Sequence, residues 1–327
     1  MVFNITESWE WQMFGDDFLV AEGFWTEGVP AASECRFPDG AEFRVEIPSV
    51  EGPRVLGAVV ESAQHFGITV NRVSQGSGAM LLSLAEIREM AEIGEEQGIE
   101  VSLFIGPRQE YDIGNHSRAL DGASLAGQQR SVRQLRYAIE DVARAAELGI
   151  RSFLIADIGL LSVLRDLQLA GELPSEIVWK VSVMQAPSNP ASLRVIAGLG
   201  ASTANIPSDT SLGELAEFRA ASSIPLDLYV ESPDAMAGVV RGQEMPDLIR
   251  VGAPLYVKFG LRNSKPLYPS GEHLVEEASA IAREKVHRAA VALEWVQRLA
   301  PELIQSKPGA PGLGVPTSLP VWSPNAV

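Results

Sequence analysis

Two lysines sit in the middle of runs that otherwise read as strands, Lys180 in IVWKVSV and Lys258 in PLYVKFGLRNS. In the second run Leu255, Val257 and Phe259 alternate with Tyr256, Lys258 and Gly260, which sets an apolar face against one that carries an ammonium group. Alternation in other runs puts Glu46, Asp157 and Glu231 on the polar side. A lysine crowded by a second cation in a desolvated site loses its proton near neutrality. It can then form an imine with a carbonyl carbon or act as a general base, with carboxylates as proton partners. Lys258, Lys180, Glu231, Asp157 and Glu46 are the catalytic candidates on this reading. Arg72, Arg108 and Arg262 can hold a carboxylate or phosphate by paired hydrogen bonds. Ser74, His116, Ser182, Asn205 and Tyr229 complete the substrate-binding set. This pattern fits lyase, aldolase or isomerase chemistry on a small anionic or carbonyl-bearing metabolite. Two alternatives remain open: Glu46, Asp157 and Glu231 with Asn205 as oxygen ligands of Mg²⁺ or Mn²⁺ in a metal-dependent enzyme or hydrolase, and a non-catalytic binding subunit.

The elements that must position these residues announce themselves by a repeated junction. An amphipathic helix ends at glycine and a β-rich run starts at once in HFGITVNRV, EQGIEVSLF, ELGIRSFLI and GLGASTANI. Helical patterns such as SLAEIREMAEIGEEQ and SVRQLRYAIEDVARAAEL lie between them. Eight candidate strands follow: FRVEIP, ITVNRVS, IEVSLFIG, IRSFLIAD, IVWKVSV, STANIP, PLDLYVE and LYVKFG. Strands and helices alternating at this pace imply parallel β/α units, and eight of them imply a closed (β/α)₈ TIM-type barrel in the α/β class. SQGSG at residues 74–78 follows the second strand and lacks the dinucleotide-binding spacing.

One face of each barrel strand meets the helices and the other fills the pore. The inward set then includes Arg44, Glu46, Arg72, Ser74, Ser102, Asp157, Lys180, Ser182, Asn205, Asp227, Tyr229, Glu231 and Lys258. Ordinary barrel interiors are filled by branched apolar residues, so this many charges needs a reason beyond packing. A buried ion network without function accounts for any single lysine equally well, but less well for the whole set.

Three segments fall outside the repeat. Residues 1–40 form an aromatic-rich extension to the barrel domain of residues 41–303, and residues 304–327 form a Pro/Gly-rich tail expected to be an extended arm or disordered. Residues 107–130 form a long insertion after the third strand, expected to act as a lid whose tip carries Tyr111, Asp112 and His116.

Composition removes other classes. The 42 acidic residues against 26 basic ones give a net charge of -16, which repels a phosphate backbone and argues against nucleic acid as partner. The single cysteine, Cys35, cannot build an internal disulfide, a thiolate zinc site or a four-cysteine iron–sulfur cluster, and suits a reducing compartment. No apolar run reaches the roughly 20 residues of a membrane-spanning helix, so the expectation is a cytoplasmic protein with a small-molecule substrate, no membrane partner, and room for homo-oligomers. Of the four histidines, His65 and His287 read as surface residues, while His116 and His273 could reach the barrel mouth. HExxH, CxxC and GxSxG are absent.

The wording of RFPDGAEFRVEIPSVEGP, NRVSQGSGAM, KVSVMQAPSNPASL and PLDLYVESPDAMAGVVRGQEMPDLIRVGAPLYVKFGLRNSKPLYPSGEHL resembles an actinobacterial-type branch of the collagenase-like peptidase family, class U, number thirty-two, over residues 36 to about 290. The resemblance implies a barrel enzyme. Members of that family that support hydroxylation of RNA or quinone precursors hold an iron–sulfur cluster through several cysteines, a set this chain lacks. The family's signature of His-Gly-Ala, a bulky residue and Cys is also missing, so peptidase activity does not carry over.

Overall fold

The computed structural model describes residues 13, 16–22, 30–106 and 126–317. Residues 107–125 of the expected lid, with Arg108, Tyr111, Asp112 and His116, lie outside the described residues.

After a short helix α1 (Asp16–Ala21), the chain runs as β1 (Phe43–Pro48), α2 (Pro53–Phe66), β2 (Arg72–Ser74), α3 (Leu84–Gln97), β3 (Glu100–Phe104), α4 (Ser131–Glu147), β4 (Ser152–Ile155), α5 (Ile158–Leu169), β5 (Val178–Val181), α6 (Pro190–Gly198), β6 (Thr203–Asn205), α7 (Leu212–Ala221), β7 (Leu226–Glu231), α8 (Met245–Gly252), β8 (Leu255–Phe259) and α9 (Val275–Leu299). All eight strands are parallel, each pairs with the next, and β8 returns to β1 through Val45↔Val257 and Glu46↔Lys258. This is a closed (β/α)₈ barrel. The eight expected strands are all present; β1 matches FRVEIP in full, and the other seven are shorter than their β-rich runs.

Local sequence explains the helix boundaries. Ser83 and Glu86, and Ser211 and Glu214, form reciprocal capping boxes at the starts of α3 and α7, and Asn189 caps α6 with Pro190 in its first turn. Gly67 and Gly98 end α2 and α3 at φ 64°, where a side chain would be strained. The core lies between barrel and helices and takes the apolar alternates, including Val45, Ile47, Val101, Leu103, Trp179, Leu228 and Val257.

Residues 304–317 form no regular element but pack under the amino-terminal ends of the strands. The amides of Ser306, Gly309 and Thr317 donate to the carbonyls of Phe43, Gly98 and Gly149, at 3.1, 2.8 and 3.0 Å. The Gly314 amide donates to Glu100 Oε2 at 3.2 Å, and Arg44 donates to Ser306 Oγ and to the Pro311 carbonyl. A Pro/Gly-rich segment has little apolar surface to bury, but its amides and carbonyls here satisfy polar groups that the open end of a barrel exposes. Phe37, from the amino-terminal extension, packs edge-on against Tyr256 at 5.3 Å and completes this floor.

Candidate active site

The pore carries a continuous stack of ionic and polar side chains beside a small apolar cluster of Phe104, Leu154 and Ala156. At the bottom Arg44 lies over the ring of Phe37 and donates to the Tyr256 hydroxyl at 2.9 Å. Above it the Arg72 guanidinium lies 3.4 Å from the centre of the Tyr256 ring. Arg72 pairs with Glu100 at 2.7 Å, Asp227 at 3.0 Å and Glu46 at 3.4 Å. The next layer centres on Glu46. Its Oε1 accepts from Ser74 Oγ at 2.7 Å and from Lys180 Nζ, with Lys258 Nζ at 3.5 Å. Lys258 also donates to Asn205 Oδ1 and sits 4.3 Å from the centre of the Tyr229 ring. Asn205 is itself fixed by donating to the Val181 carbonyl at 2.6 Å, and Asp227 accepts from Thr203 at 3.0 Å. Among the described residues Arg72 Nη2 and Ser102 Oγ are buried there without a hydrogen-bond partner.

These charges set one another's protonation. Burial alone would raise Glu46, but Lys180, Lys258 and Arg72 outweigh it and hold the carboxylate well below its usual range. Burial brings Lys180 down to about 8 against the attraction of Glu46, with Lys258 and Arg72 adding repulsion. Lys258 moves the other way. Burial would lower it, yet Glu46, Tyr229 and Asp227 together keep its ammonium favoured above the ordinary lysine range. Burial raises both Asp227 and Tyr229.

At the carboxyl ends of the strands the stack opens into a cavity of about 740 Å³ whose wall includes Ser74, Ser182, Asn205, Tyr229 and Lys258. These five sequence-predicted residues are brought together. The others are not. Lys180 is completely buried beneath the wall, and Arg72 acts as a strut between Tyr256 and three carboxylates. Asp157 has the parity of the helix-facing Phe153 and Ile155; its carboxylate caps α5 at the Leu160 amide, 2.7 Å away, and accepts from the Gln129 amide at 2.9 Å. Glu231 would face inward by alternation, but the register of β7 on β8 shifts between Tyr229 and Glu231. Its carboxylate accepts from the Arg262 amide at 3.0 Å and lies 3.9 Å from Arg288 of α9. The Arg262 side chain is exposed and pairs loosely with Asp234. The carboxylates of Glu46, Asp157 and Glu231 thus serve three separate sets of partners and do not converge as a metal site. Among the described residues no group of three His, Cys, Asp or Glu is placed to hold a metal ion.

Three pore residues were missed or left unused by sequence reasoning. Glu100 and Asp227 complete the coordination of Arg72, and Glu100 shares the parity of Ser102, so alternation could have found it. Lys285 of α9 is the third. It is buried, lines the cavity and donates to the Pro48 carbonyl at 2.7 Å. Its signal was a lysine on the apolar stripe of Ala278, Ile281, Ala282, Ala289 and Ala292.

No family model and no curated protein matches this chain. Among solved structures it is similar to the U32 peptidase Mk0906, at 15% identity and TM-score 0.36 over 68% of this chain and 74% of that one. It is also similar to a putative copper homeostasis protein, CutC, from Streptococcus agalactiae, at 15% identity and TM-score 0.43 over 66% and 97%. A third is a structure described as native KDPGal, at 11% identity and TM-score 0.43 over 80% and 99%. At these values they add nothing to the barrel topology described above. No helix among the described residues is long and apolar enough to cross a membrane.

Proposed function

We propose that the chain is a barrel enzyme that acts on a small anionic or carbonyl-bearing metabolite, in reactions of lyase, aldolase or isomerase type. The observation that carries this reading is the position of Lys258: its ammonium, pinned by Glu46, Asn205 and the face of Tyr229, is the charge that the buried network presents to the cavity. A cation fixed in place before the substrate arrives stabilises negative charge that develops on a substrate oxygen, as in an enolate, without reorganisation cost at the moment of reaction. Glu46 beneath it, with Asp227 and Tyr229, keeps that ammonium charged, and Asn205 orients it. Ser74, Ser182, Asn205 and Tyr229 offer neutral donors and acceptors around the same space. A metal-assisted route and a non-catalytic role have no comparable support from the arrangement of these side chains.

Proton exchange reads the first chemical step directly, whatever bond is made or broken after it. A panel of 2-oxo acids and hydroxyaldehydes is incubated with the protein in D₂O, and exchange of the proton next to the carbonyl is followed by NMR. Catalysed exchange of at least one compound by the wild-type protein, lost in Lys258→Met, is the expected result. A panel that is neither bound nor exchanged would overturn the reading.

A further inference from the structure

The chain contains five lysines, Lys180, Lys258, Lys265, Lys285 and Lys307, against 21 arginines. Arginine supplies permanent charge, whereas lysine can be deprotonated when buried. Three of the five lysines are buried around the pore or its cavity. Their surroundings differ. Lys180 contacts Glu46 and does not reach the cavity wall, and Lys258 is surrounded by Glu46, Asn205 and Tyr229. Lys285 is 3% exposed, lies on the cavity wall, and among the described residues has one hydrogen bond, to a backbone carbonyl. No carboxylate is within ion-pair distance of it among the described residues.

We propose that Lys285 is the amine of this cavity that condenses with a carbonyl substrate, while Lys258 remains the fixed ammonium that holds the substrate's oxygen or carboxylate. In this step the Nζ lone pair adds to the carbonyl carbon, a C=N bond replaces C=O, and the oxygen leaves as water with the two protons given up by the amine; hydrolysis reverses it. The inference rests on the carbonyl reading above and assigns its nucleophile.

The electrostatics agree with the geometry. Burial brings Lys285 down to about 8 against the attraction of Glu51, so a useful fraction is uncharged near neutrality. Glu51 faces it from the loop after β1, where its carboxylate accepts from the amides of Gly76 and Ser77, each at 2.9 Å. Lys258 of β8 shares the cavity, and on α9 Glu284 and Arg288 pair with each other at 2.9 Å. Lys285 also ties α9 to the end of β1 through Pro48, so a purely structural strut is the competing role.

Glyoxylate with cyanoborohydride separates the two on the wild-type protein, because five lysines can all be mapped by peptide mass. The expected result is reductive labelling of Lys285 about tenfold faster than the exposed Lys265 and Lys307, with a rate that rises with pH around a midpoint near 8. Lys285→Arg, which preserves the charge and the donor to Pro48, should lose that fast phase while the other sites label as before. If Lys285 labels no faster than Lys307, it is a strut and the inference is overturned. Label appearing first on Lys258 would overturn it too but leave imine chemistry standing; an absence of fast label at any lysine would end both imine assignments and leave acid–base chemistry at Lys258 to the exchange experiment.

Discussion

Lys180 and Lys258 share one carboxylate yet should respond differently to removal. Lys180 is the direct partner of Glu46 and is wholly enclosed, so Lys180→Met should cost about 3–5 kcal/mol in chemical unfolding, the range for breaking a buried pair. Lys258→Met leaves Glu46 with Lys180, Arg72 and Ser74, so its stability cost should be clearly smaller, while ligand binding and proton exchange disappear. Lys285 should show the opposite sign. Its folded pKa, about 8, lies below the unfolded value of 10.5, so between those values the unfolded chain binds more protons and stability rises with pH. Below about pH 8 the cost of burying the charge is present in full. Lys285→Met should therefore stabilise the protein at pH 7 by about 2 kcal/mol: a gain of roughly 3 from the pKa difference less about 1 for the bond to Pro48. The gain should vanish as pH approaches 10.5. A variant no more stable than wild type at pH 7 would show that the buried amine carries no such penalty.

At the scale of elements, two glycines allow a controlled comparison. Gly67 and Gly98 both end a helix at φ 64°, but a Cβ at Gly67 meets nothing within 4 Å, whereas one at Gly98 would lie 2.7 Å from the Gly309 nitrogen of the tail. Gly67→Ala should cost about 1 kcal/mol for the left-handed backbone alone, and Gly98→Ala measurably more. With residues 304–327 removed, the two penalties should converge. Much of this architecture was legible in the sequence, because helix stop, glycine and β-rich run recur with a period that local physics imposes. Pore residues were legible wherever strict alternation holds: Lys180, Asn205, Tyr229 and Lys258 sit where parity puts them. Asp157 was misplaced because it falls beyond the end of β4, where a helix cap competes for a carboxylate. Glu231 was misplaced because a one-residue irregularity turns it out of the pore, and nothing in LDLYVESP marks that shift. Lys285 escaped a search confined to strands.

For the molecule as a whole, the net charge of -16 surrounds a cavity whose buried charge is cationic. An anionic substrate must cross a repulsive field to reach an attractive site, so kcat/KM for such a substrate should rise as ionic strength increases to about 0.15 M, where charges beyond about 8 Å are screened. A rate that falls steadily with salt over that range would mean that local steering by Lys258 and Lys285 dominates. The floor of the barrel has a consequence in time as well as in space. Arg44 reaches Ser306 and Pro311 across 262 and 267 positions of sequence, so these contacts close very long loops of chain. Contacts so distant carry the full entropy of loop closure and form after the strands have assembled, which places them beyond the folding transition state. Deleting residues 304–327 should accordingly leave the refolding rate nearly unchanged and accelerate unfolding, so that the arm beneath the pore acts as a brake on the loss of structure rather than as a guide to its formation.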